Sequence, residues 1–527
     1  MSENGQHCAG HGARLRAMEL DPKQCYAAIC ARDARFDGTF FVGVSTTGVY
    51  CRPVCRVRTP GRDRCSYYSS AAAAEAAGYR PCLRCRPELA PGAAPSDAVR
   101  RVARQAVARI ESGGLEEGGM EALAAELGLS SRQLRRNIER EYGVAPVELA
   151  QTRRLLLAKQ LITDTRLSMT DIAFASGFAS VRRFNHLFRH RYRLQPSALR
   201  RGQGTAQAHG VAVVHGDAIV LKLAYRPPLA WEPLARFLAS RAPQSMERFD
   251  GVRYLRTLRL GDKSGWIEAR PAEGANVLLA QVSASLLPVL TRLLPRLRAL
   301  FDLDADPAAI AEQLAKHPLT RRGWRAAPGL RVPGVLDGFE LALRAVLGQQ
   351  VSVRAATTLY GRFAERFGKS IQTPHAGLDR LPPQAEAIAQ ADVKELMALG
   401  LTGRRAATVR QLAIEAAAGR LHLEPGADPA QVATELRTIP GIGPWTVQYI
   451  AMRALRDPDA FPHSDLVLLK TSGLRERALL EAAEAWRPWR AYAALCLWNT
   501  PAKTQAAVPE TRMRGARALV TSTRPAL

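Results

Sequence analysis

Four cysteines constrain this chain more than any other feature. In "YCRPVCRVR" (residues 50–58) three residues separate Cys51 from Cys55, and in "RPCLRC" (80–85) two residues separate Cys82 from Cys85. Two short knuckles from separated segments, converging on one ion, are the layout of a closed tetrahedral four-cysteine zinc site. Such a site organises a small domain around itself, because metal binding and folding become one event. Nine cysteines occur in all, and the opening stretch "MSENGQHCAGHGARLRAMEL" has no apolar run of the kind that an export signal needs. Thiols in a reducing compartment serve metals or reactivity more than disulfides. A cytoplasmic protein with one zinc per chain is therefore expected. Cys8, Cys25, Cys30, Cys65 and Cys496 lack a partner spacing and read as structural, with Cys65, between the knuckles, a competing ligand.

Arginines crowd the same segments: Arg52, Arg56, Arg84 and Arg86. Four thiolates on a zinc dication leave a net charge of about −2, which nearby guanidiniums offset while offering forks for phosphate. The whole chain has 74 lysines and arginines against 48 acids, a formal charge of +26. That excess points to a polyanionic partner. "FFVGVSTTGVYCRPVCRVR" followed by "AAAAEAAGYRPCLRCRPE" resembles the N-terminal domain of the Ada family of adaptive-response proteins. The resemblance implies that the first cysteine of the first knuckle, Cys51, takes a methyl group from a DNA methylphosphotriester, with Arg52 and Arg56 holding the phosphate. Spacing by itself does not single out Cys51, and a purely structural knuckle remains the other reading.

At 527 residues the chain is too long for one core, and about three or four domains are expected. "RPELAPGAAPS" (86–96) reads as a linker. From 97 to 199 the pattern is helical. Leu123, Ala124 and Leu127 mark one helix face, Gly128 turns the chain, and Ser131 caps a helix bearing Leu134, Ile138 and Tyr142. The grammar repeats with Ile172, Ala173, Gly177, a cap at Ser180, then Phe184, Leu187 and Phe188. Two helix-turn-helix units follow, joined by a long helix over about 146–163, with Arg132, Gln133, Arg135, Arg182, Arg183 and Asn185 on the exposed second helices as DNA-reading candidates. Doubled units of this kind resemble the AraC family.

A second linker, "RRGQGTAQAHG" (200–210), precedes strand-like alternation in "AIVLKLAYRPPLAW", "RYLRTLRL" and "NVLLAQVS". This region carries no recognisable chemistry of its own, although "LKLAYRPPLAWEPLARFLASRA" resembles the N-terminal domain of AlkA-type DNA glycosylases. Helices joined by short turns follow from 301. In "LRTIPGIGPWTVQYIAMRAL" (436–455), Gly441 and Gly443 form a hairpin whose backbone N–H groups can face a phosphate. Asp465, twenty residues after Trp445, stands at the start of an apolar helix, where an aspartate is ordinarily an N-cap. Together with "GFELALRAVLGQQVSV" and "WRPWRAYAALCLW", these residues resemble the helix-hairpin-helix glycosylases of the AlkA-like 3-methyladenine glycosylase II type.

That resemblance implies that Asp465 stabilises an oxocarbenium-like sugar, that Trp445, Tyr449 and Trp498 hold the flipped base, and that Gly441, Gly443, Thr446, Gln349 and Gln350 contact DNA. For each aromatic, plain core packing is the alternative. Bifunctional relatives carry a lysine where Trp445 stands, so a monofunctional enzyme is expected. Cys496, the one cysteine beyond residue 85, excludes a four-cysteine iron–sulfur cluster. The Pro-Cys-His-Arg motif of Ada's O6-alkylguanine half is also missing.

The expected fold is multidomain α+β. It comprises a small α/β zinc domain (1–90), an all-α double helix-turn-helix domain (97–199), a small mixed α/β domain (212–300), an all-α helix-hairpin-helix glycosylase domain (301–500) and a tail (501–527). The resemblances imply an alkylation sensor, transcription regulator and glycosylase that works as a monomer on alkylated and promoter double-stranded DNA, with RNA polymerase as a further partner and no membrane. A regulator whose glycosylase half is a non-catalytic DNA clamp is the rival.

Overall fold

A computed structural model describes residues 21–91, 106–107, 109–110, 119–201, 218–424 and 426–500. Cys8, residues 92–96 and 202–210 of the two expected linkers, and the tail 501–527 lie outside the described residues.

The metal-binding part begins with helix Pro22–Ala31, capped by Asp21, whose carboxylate accepts from the Lys23 N–H at 2.9 Å. Four strands follow: β1 (Phe41–Val44), β2 (Val49–Cys51), β3 (Cys65–Tyr68) and β4 (Arg80–Pro81), in the order β3-β1-β2-β4. β1 pairs antiparallel with β2 and β3, whereas β2 and β4 run parallel. The parallel pair sets the two knuckles side by side. The Cys82 N–H donates to the Tyr50 carbonyl at 3.0 Å, so both knuckles leave adjacent strand ends. Helix Ala71–Ala76 lies over the sheet, and its small buried Ala72 and Ala74 permit the close approach. Residues 86–91 are not the linker their composition suggests. Pro87–Leu89 form a 3₁₀ turn with Pro87 buried, held by ion pairs described below.

Among the described residues, the helix-turn-helix part includes helices Gly119–Glu126, Ser131–Tyr142, Pro146–Asp164, Met169–Ala175, Val181–Tyr192 and Pro196–Arg201. Gly128 (φ +66) and Gly177 (φ +80) make the tight turns in left-handed backbone, which glycine adopts without a Cβ penalty. Ser180 caps the last recognition helix as expected. In the first unit the cap is Ser130, not Ser131. Ser130 Oγ accepts from the Gln133 N–H, and Gln133 Oε1 accepts from the Ser130 N–H, a reciprocal box that only the serine three positions before Gln133 can make.

Strands β5 (Ala218–Ala224), β6 (Glu247–Phe249), β7 (Tyr254–Leu260), β8 (Lys263–Pro271) and β9 (Val277–Ser283) form an antiparallel sheet in the order β5-β9-β8-β7-β6. Two of these, β6 and β8, were not legible as strands. Beyond helix Leu290–Leu300 the named elements among the described residues are helices, with Leu343, Val346, Phe363, Leu412, Leu436, Ile450, Leu468 and Trp486 in one buried cluster.

A second buried cluster crosses the 200–210 boundary. Leu155, Leu161, Ile162, Ile172 and Phe184 from the helix-turn-helix part share it with Leu221, Leu223, Leu278, Leu290 and Leu293. Helix Pro146–Asp164 packs on β5, and Met169–Ala175 packs on the turn Ala284–Val289. No described helix is long and apolar enough to cross a membrane.

Candidate metal centre and active site

The sulfurs of Cys51, Cys55, Cys82 and Cys85 all lie within 4.8 Å of one another. A tetrahedron of zinc–sulfur bonds has sulfur–sulfur edges of about 3.8 Å, so the donor set and its spacing fit one zinc ion. Cys55 and Cys82 beside it, with burial behind them, push the Cys51 thiol up. Holding all four as thiolates therefore calls for a cation among them. Cys65 is not a fifth ligand, since its S–H donates to the Gly61 carbonyl at 3.3 Å. Burial raises Cys25 to about 11 and Cys496 to about 12, consistent with inert structural thiols, whereas Cys30 is exposed and fills no core.

Arg52 differs from expectation. Its guanidinium donates to Asp37 (Nε to Oδ1, 2.8 Å) and to the Cys85 carbonyl (3.2 Å), and its backbone N–H donates to the Cys85 sulfur at 3.4 Å. With its side chain 11% exposed, it braces the knuckles from inside. Arg56 and Arg84 are exposed and remain available to phosphate.

Two buried polar links run from the knuckles to helix Pro146–Asp164. Beside Cys51, the Tyr50 hydroxyl donates to Glu75 Oε1 and the Thr152 hydroxyl to Glu75 Oε2, each at 3.0 Å. Beside Cys85, Arg86 donates to Glu88 (3.0 Å) and to Asp164 (2.7 Å), and Lys159 donates to Glu88 at 2.5 Å. The helix then reaches the sheet, where the Gln160 amide donates to the Lys222 carbonyl at 3.0 Å.

In the second site Asp465 is both an N-cap and the centre of an aromatic cluster. Oδ1 accepts from the backbone N–H groups of Val467 (3.0 Å) and Leu468 (3.1 Å), which open helix Leu466–Ser472. It also accepts from Trp498 Nε1 at 3.0 Å, and Oδ2 accepts from Trp445 Nε1 at 2.9 Å. Trp445 stacks on Tyr449 with centroids 5.0 Å apart and planes at 10°, as residues one turn apart on helix Pro444–Arg453 can. Trp498, on helix Arg490–Trp498, meets Tyr449 edge-on at 6.4 Å. The Tyr449 hydroxyl accepts from buried Arg453 at 2.8 Å. Burial pushes this phenol up, but Arg453 and Arg241 outweigh it and leave the group below its ordinary value.

Two pocket residues escaped the sequence reading. Phe237 stacks on Trp498 at 6.2 Å, and the Arg241 guanidinium carbon lies 3.5 Å from the Phe237 ring centroid. Both belong to the sheet domain, which therefore contributes a wall of the site. A signal was present: in helix Trp231–Ala239 the core face is Leu234, Ala235 and Leu238, and Phe237 stands off that face.

The hairpin places Gly441 (φ +94) where a Cβ would meet Thr408 Oγ1 at 2.3 Å, while the space around Gly443 is open. Thr446 is 2% exposed and accepts from the Gln349 amide at 3.0 Å, so its hydroxyl is an internal strut and cannot reach DNA. The same amide donates to the Gly441 carbonyl at 3.0 Å, which fixes the hairpin. Gln350 is exposed with φ +56 at the adjoining loop tip. On the recognition helices Arg132, Arg135, Arg182 and Arg183 are exposed and Asn185 is half-buried. Gln133 is also exposed, with its amide oxygen engaged in the cap.

Residues 24–88 match the metal binding domain of Ada, 123–202 a helix-turn-helix domain, 220–337 the AlkA N-terminal domain, and 343–474 the HhH-GPD superfamily base excision DNA repair protein. The class is thus an Ada-type metal domain and a helix-turn-helix module joined to a glycosylase of the helix-hairpin-helix superfamily. Over 489 residues the chain is 40% identical to a Mycobacterium tuberculosis protein described as a probable bifunctional transcriptional activator/DNA repair enzyme AlkA, covering 92% of this chain and 97% of that one. It belongs to that family. It is also 37% identical over 284 residues to DNA-3-methyladenine glycosylase 2 of Escherichia coli, covering 53% of this chain and 96% of the other. Over 75 residues it is 47% identical to the bifunctional transcriptional activator/DNA repair enzyme Ada of the same organism, covering 14% and 21%.

Proposed function

We propose that this protein excises alkylated bases, 3-methyladenine among them, from double-stranded DNA, accepts methyl groups from DNA phosphotriesters on Cys51, and regulates transcription through its helix-turn-helix units. One observation carries the excision reading: the Asp465 carboxylate is held by two indole N–H groups at the edge of a stacked aromatic cluster.

Alkylated purines carry positive charge and leave readily, so little acid catalysis is needed. Trp445, Tyr449 and Trp498 would hold the flipped base by stacking and by cation–π attraction of about 0.5–2 kcal/mol. As the N-glycosidic bond breaks, charge grows at C1′, and a carboxylate already in place stabilises it without reorganisation. Water then adds at C1′ and loses its proton to solvent. With Trp445 where an amine nucleophile would stand, no Schiff base forms and the product is an intact abasic site. Gly441 and Gly443 would bring backbone N–H groups up to a phosphate.

A zinc ion held by Cys51, Cys55, Cys82 and Cys85 would keep the quartet deprotonated at neutral pH. The Cys51 sulfur attacks the triester methyl carbon, an S–C bond forms, the C–O bond breaks, and the phosphodiester leaves as its anion. Exposed Arg56 and Arg84 are suited to hold that phosphate. Arg132, Arg135, Arg182 and Arg183 would grip promoter DNA, with RNA polymerase as the downstream partner. We place this activity in the cytoplasm, in a monomer.

The test is base release from N-methylated duplex DNA by the full chain, with borohydride added to trap any lyase intermediate. Free 3-methyladenine with unnicked, untrapped DNA is expected. No release would overturn the excision reading and leave a DNA clamp; trapped adduct would overturn the monofunctional assignment.

A further inference from the structure

Asp465 receives more hydrogen bonds than helix capping requires. The backbone N–H groups of Val467 and Leu468 already satisfy the cap. Two more donors arrive from side chains 20 and 33 positions away in sequence, Trp445 to Oδ2 and Trp498 to Oδ1. Indole nitrogen is a donor only, so each N–H needs an acceptor, and Asp465 supplies it for both. Neither ring is free to turn away, because Trp445 is stacked on Tyr449 and Trp498 lies between Tyr449 and Phe237.

The two carboxylate oxygens are therefore unequal. Oδ1 accepts three N–H groups, from Val467, Leu468 and Trp498. Oδ2 accepts one, from Trp445, and keeps a lone-pair direction open. A donor on each oxygen, from rings approaching on two sides, fixes rotation of the carboxylate about its Cβ–Cγ bond.

We propose that Trp445 and Trp498 are positioning residues for Asp465: through their N–H groups, apart from any stacking on the base, they set the carboxylate so that Oδ2 is the oxygen presented to the sugar cation. The proposal rests on the excision reading. It gives Asp465 the role of a carboxylate fixed in orientation, because four donors on its two oxygens leave it no freedom to swing away from the sugar.

Base-free probes separate positioning from stacking. One duplex carries a neutral tetrahydrofuran abasic site and another a cationic pyrrolidine in its place; neither has a base to stack. The ratio of their affinities reads how well the carboxylate faces a sugar-centred positive charge. Trp445→Phe and Trp498→Phe each keep an aromatic face and lose the N–H. Wild type should prefer the cationic probe. Each substitution should lower that preference by about tenfold, the scale of one hydrogen bond to a charged group; the tetrahydrofuran duplex is the reference for each variant, and far-UV circular dichroism reports an intact fold. In an Asp465→Asn background the tryptophan substitutions should no longer alter the ratio.

An unchanged ratio in both variants, including equal weakening of both probes, overturns the proposal whatever happens to base release. So does a wild type without preference for the cation. Failure of wild type to release base would sink the excision reading separately, since the probe ratio does not depend on turnover.

Discussion

Glu75 is buried in a run of alanines, and replacing it with glutamine should remove a measurable pH dependence of stability. Its carboxylate accepts from the Tyr50 and Thr152 hydroxyls, each at 3.0 Å, and so ties the strand that ends at Cys51 to the central helix of the helix-turn-helix part. Burial pushes the carboxyl from its ordinary 4.5 to about 7, against the pull of those two hydroxyls and of Arg191 and Lys159; Tyr192 and Glu88 are also nearby. The folded value is the raised one, so the native chain binds more protons than the unfolded chain between 4.5 and 7. Stability from the neutral carboxyl is complete below pH 4.5 and is lost as pH rises through 7. At 1.4 kcal/mol per pH unit the loss is ~3 kcal/mol. Glu75→Gln keeps a hydrogen bond for each hydroxyl, because one can turn to accept from the amide, and it cannot ionise. Urea unfolding of zinc-loaded protein should find the variant within about 1 kcal/mol of wild type at pH 5 and more stable by about 2–3 kcal/mol at pH 8. Far-UV circular dichroism is the right probe, because all seven tryptophans lie beyond residue 230, outside the metal-binding and helix-turn-helix segments. Identical pH dependence in the two proteins would refute the reasoning.

Asp465→Asn should slow single-turnover base release by about 10²–10³-fold with lesion binding retained; near-normal turnover would remove Asp465 from the chemistry. Cys51→Ser should end methyl transfer and leave base excision intact, as measured by methyl counting and base release on one preparation. In wild type, converting a thiolate to a thioether removes about one negative charge beside DNA, so promoter affinity should rise roughly tenfold to a hundredfold after one turnover (~1–3 kcal/mol), less at high salt; equal affinity before and after would defeat the switch. Gly441→Ala should cost about 1–3 kcal/mol and weaken binding to undamaged duplex in a salt titration, because its φ of +94 and the Thr408 hydroxyl leave no place for a Cβ. Chelation should release one metal ion per chain and melt the β1–β4 sheet, and added zinc should restore its circular dichroism.

Periodic and spacing signals are legible in the sequence itself. The quartet, both helix-turn-helix units and the hairpin all carry their information within about twenty consecutive residues or in two short motifs. What escaped depends on partners distant in sequence. Arg52 looks like a phosphate ligand until Asp37 is folded against it, and Thr446 looks exposed until Gln349 arrives from 97 positions away. Phe237 and Arg241 belong to a region with no chemistry of its own and become part of the site only when helix Arg490–Trp498 lies beside them. The choice between cap and catalytic carboxylate at Asp465 had no sequence answer, because its side chain both caps helix Leu466–Ser472 and accepts from Trp445 and Trp498, 20 and 33 positions away. Residues 86–91 have a linker's composition, but Arg86 and Glu88 find buried partners on another domain.

The buried cluster that joins the helix-turn-helix part to the sheet also fixes an order of events during synthesis. Leu155, Ile162 and Ile172 leave the ribosome well before the residues up to Leu303 that complete their cluster. With more than a hundred codons still to be read after Ile172, at 5–20 residues per second, that interval is roughly 5–30 s. For that time the nascent chain holds its metal knuckles and its DNA-reading helices, yet the apolar faces meant for β5 and the Ala284–Val289 turn have nothing to cover them. A chain cut off at the 200–210 segment would leave those apolar faces uncovered permanently, so it is expected to aggregate more readily than the full chain.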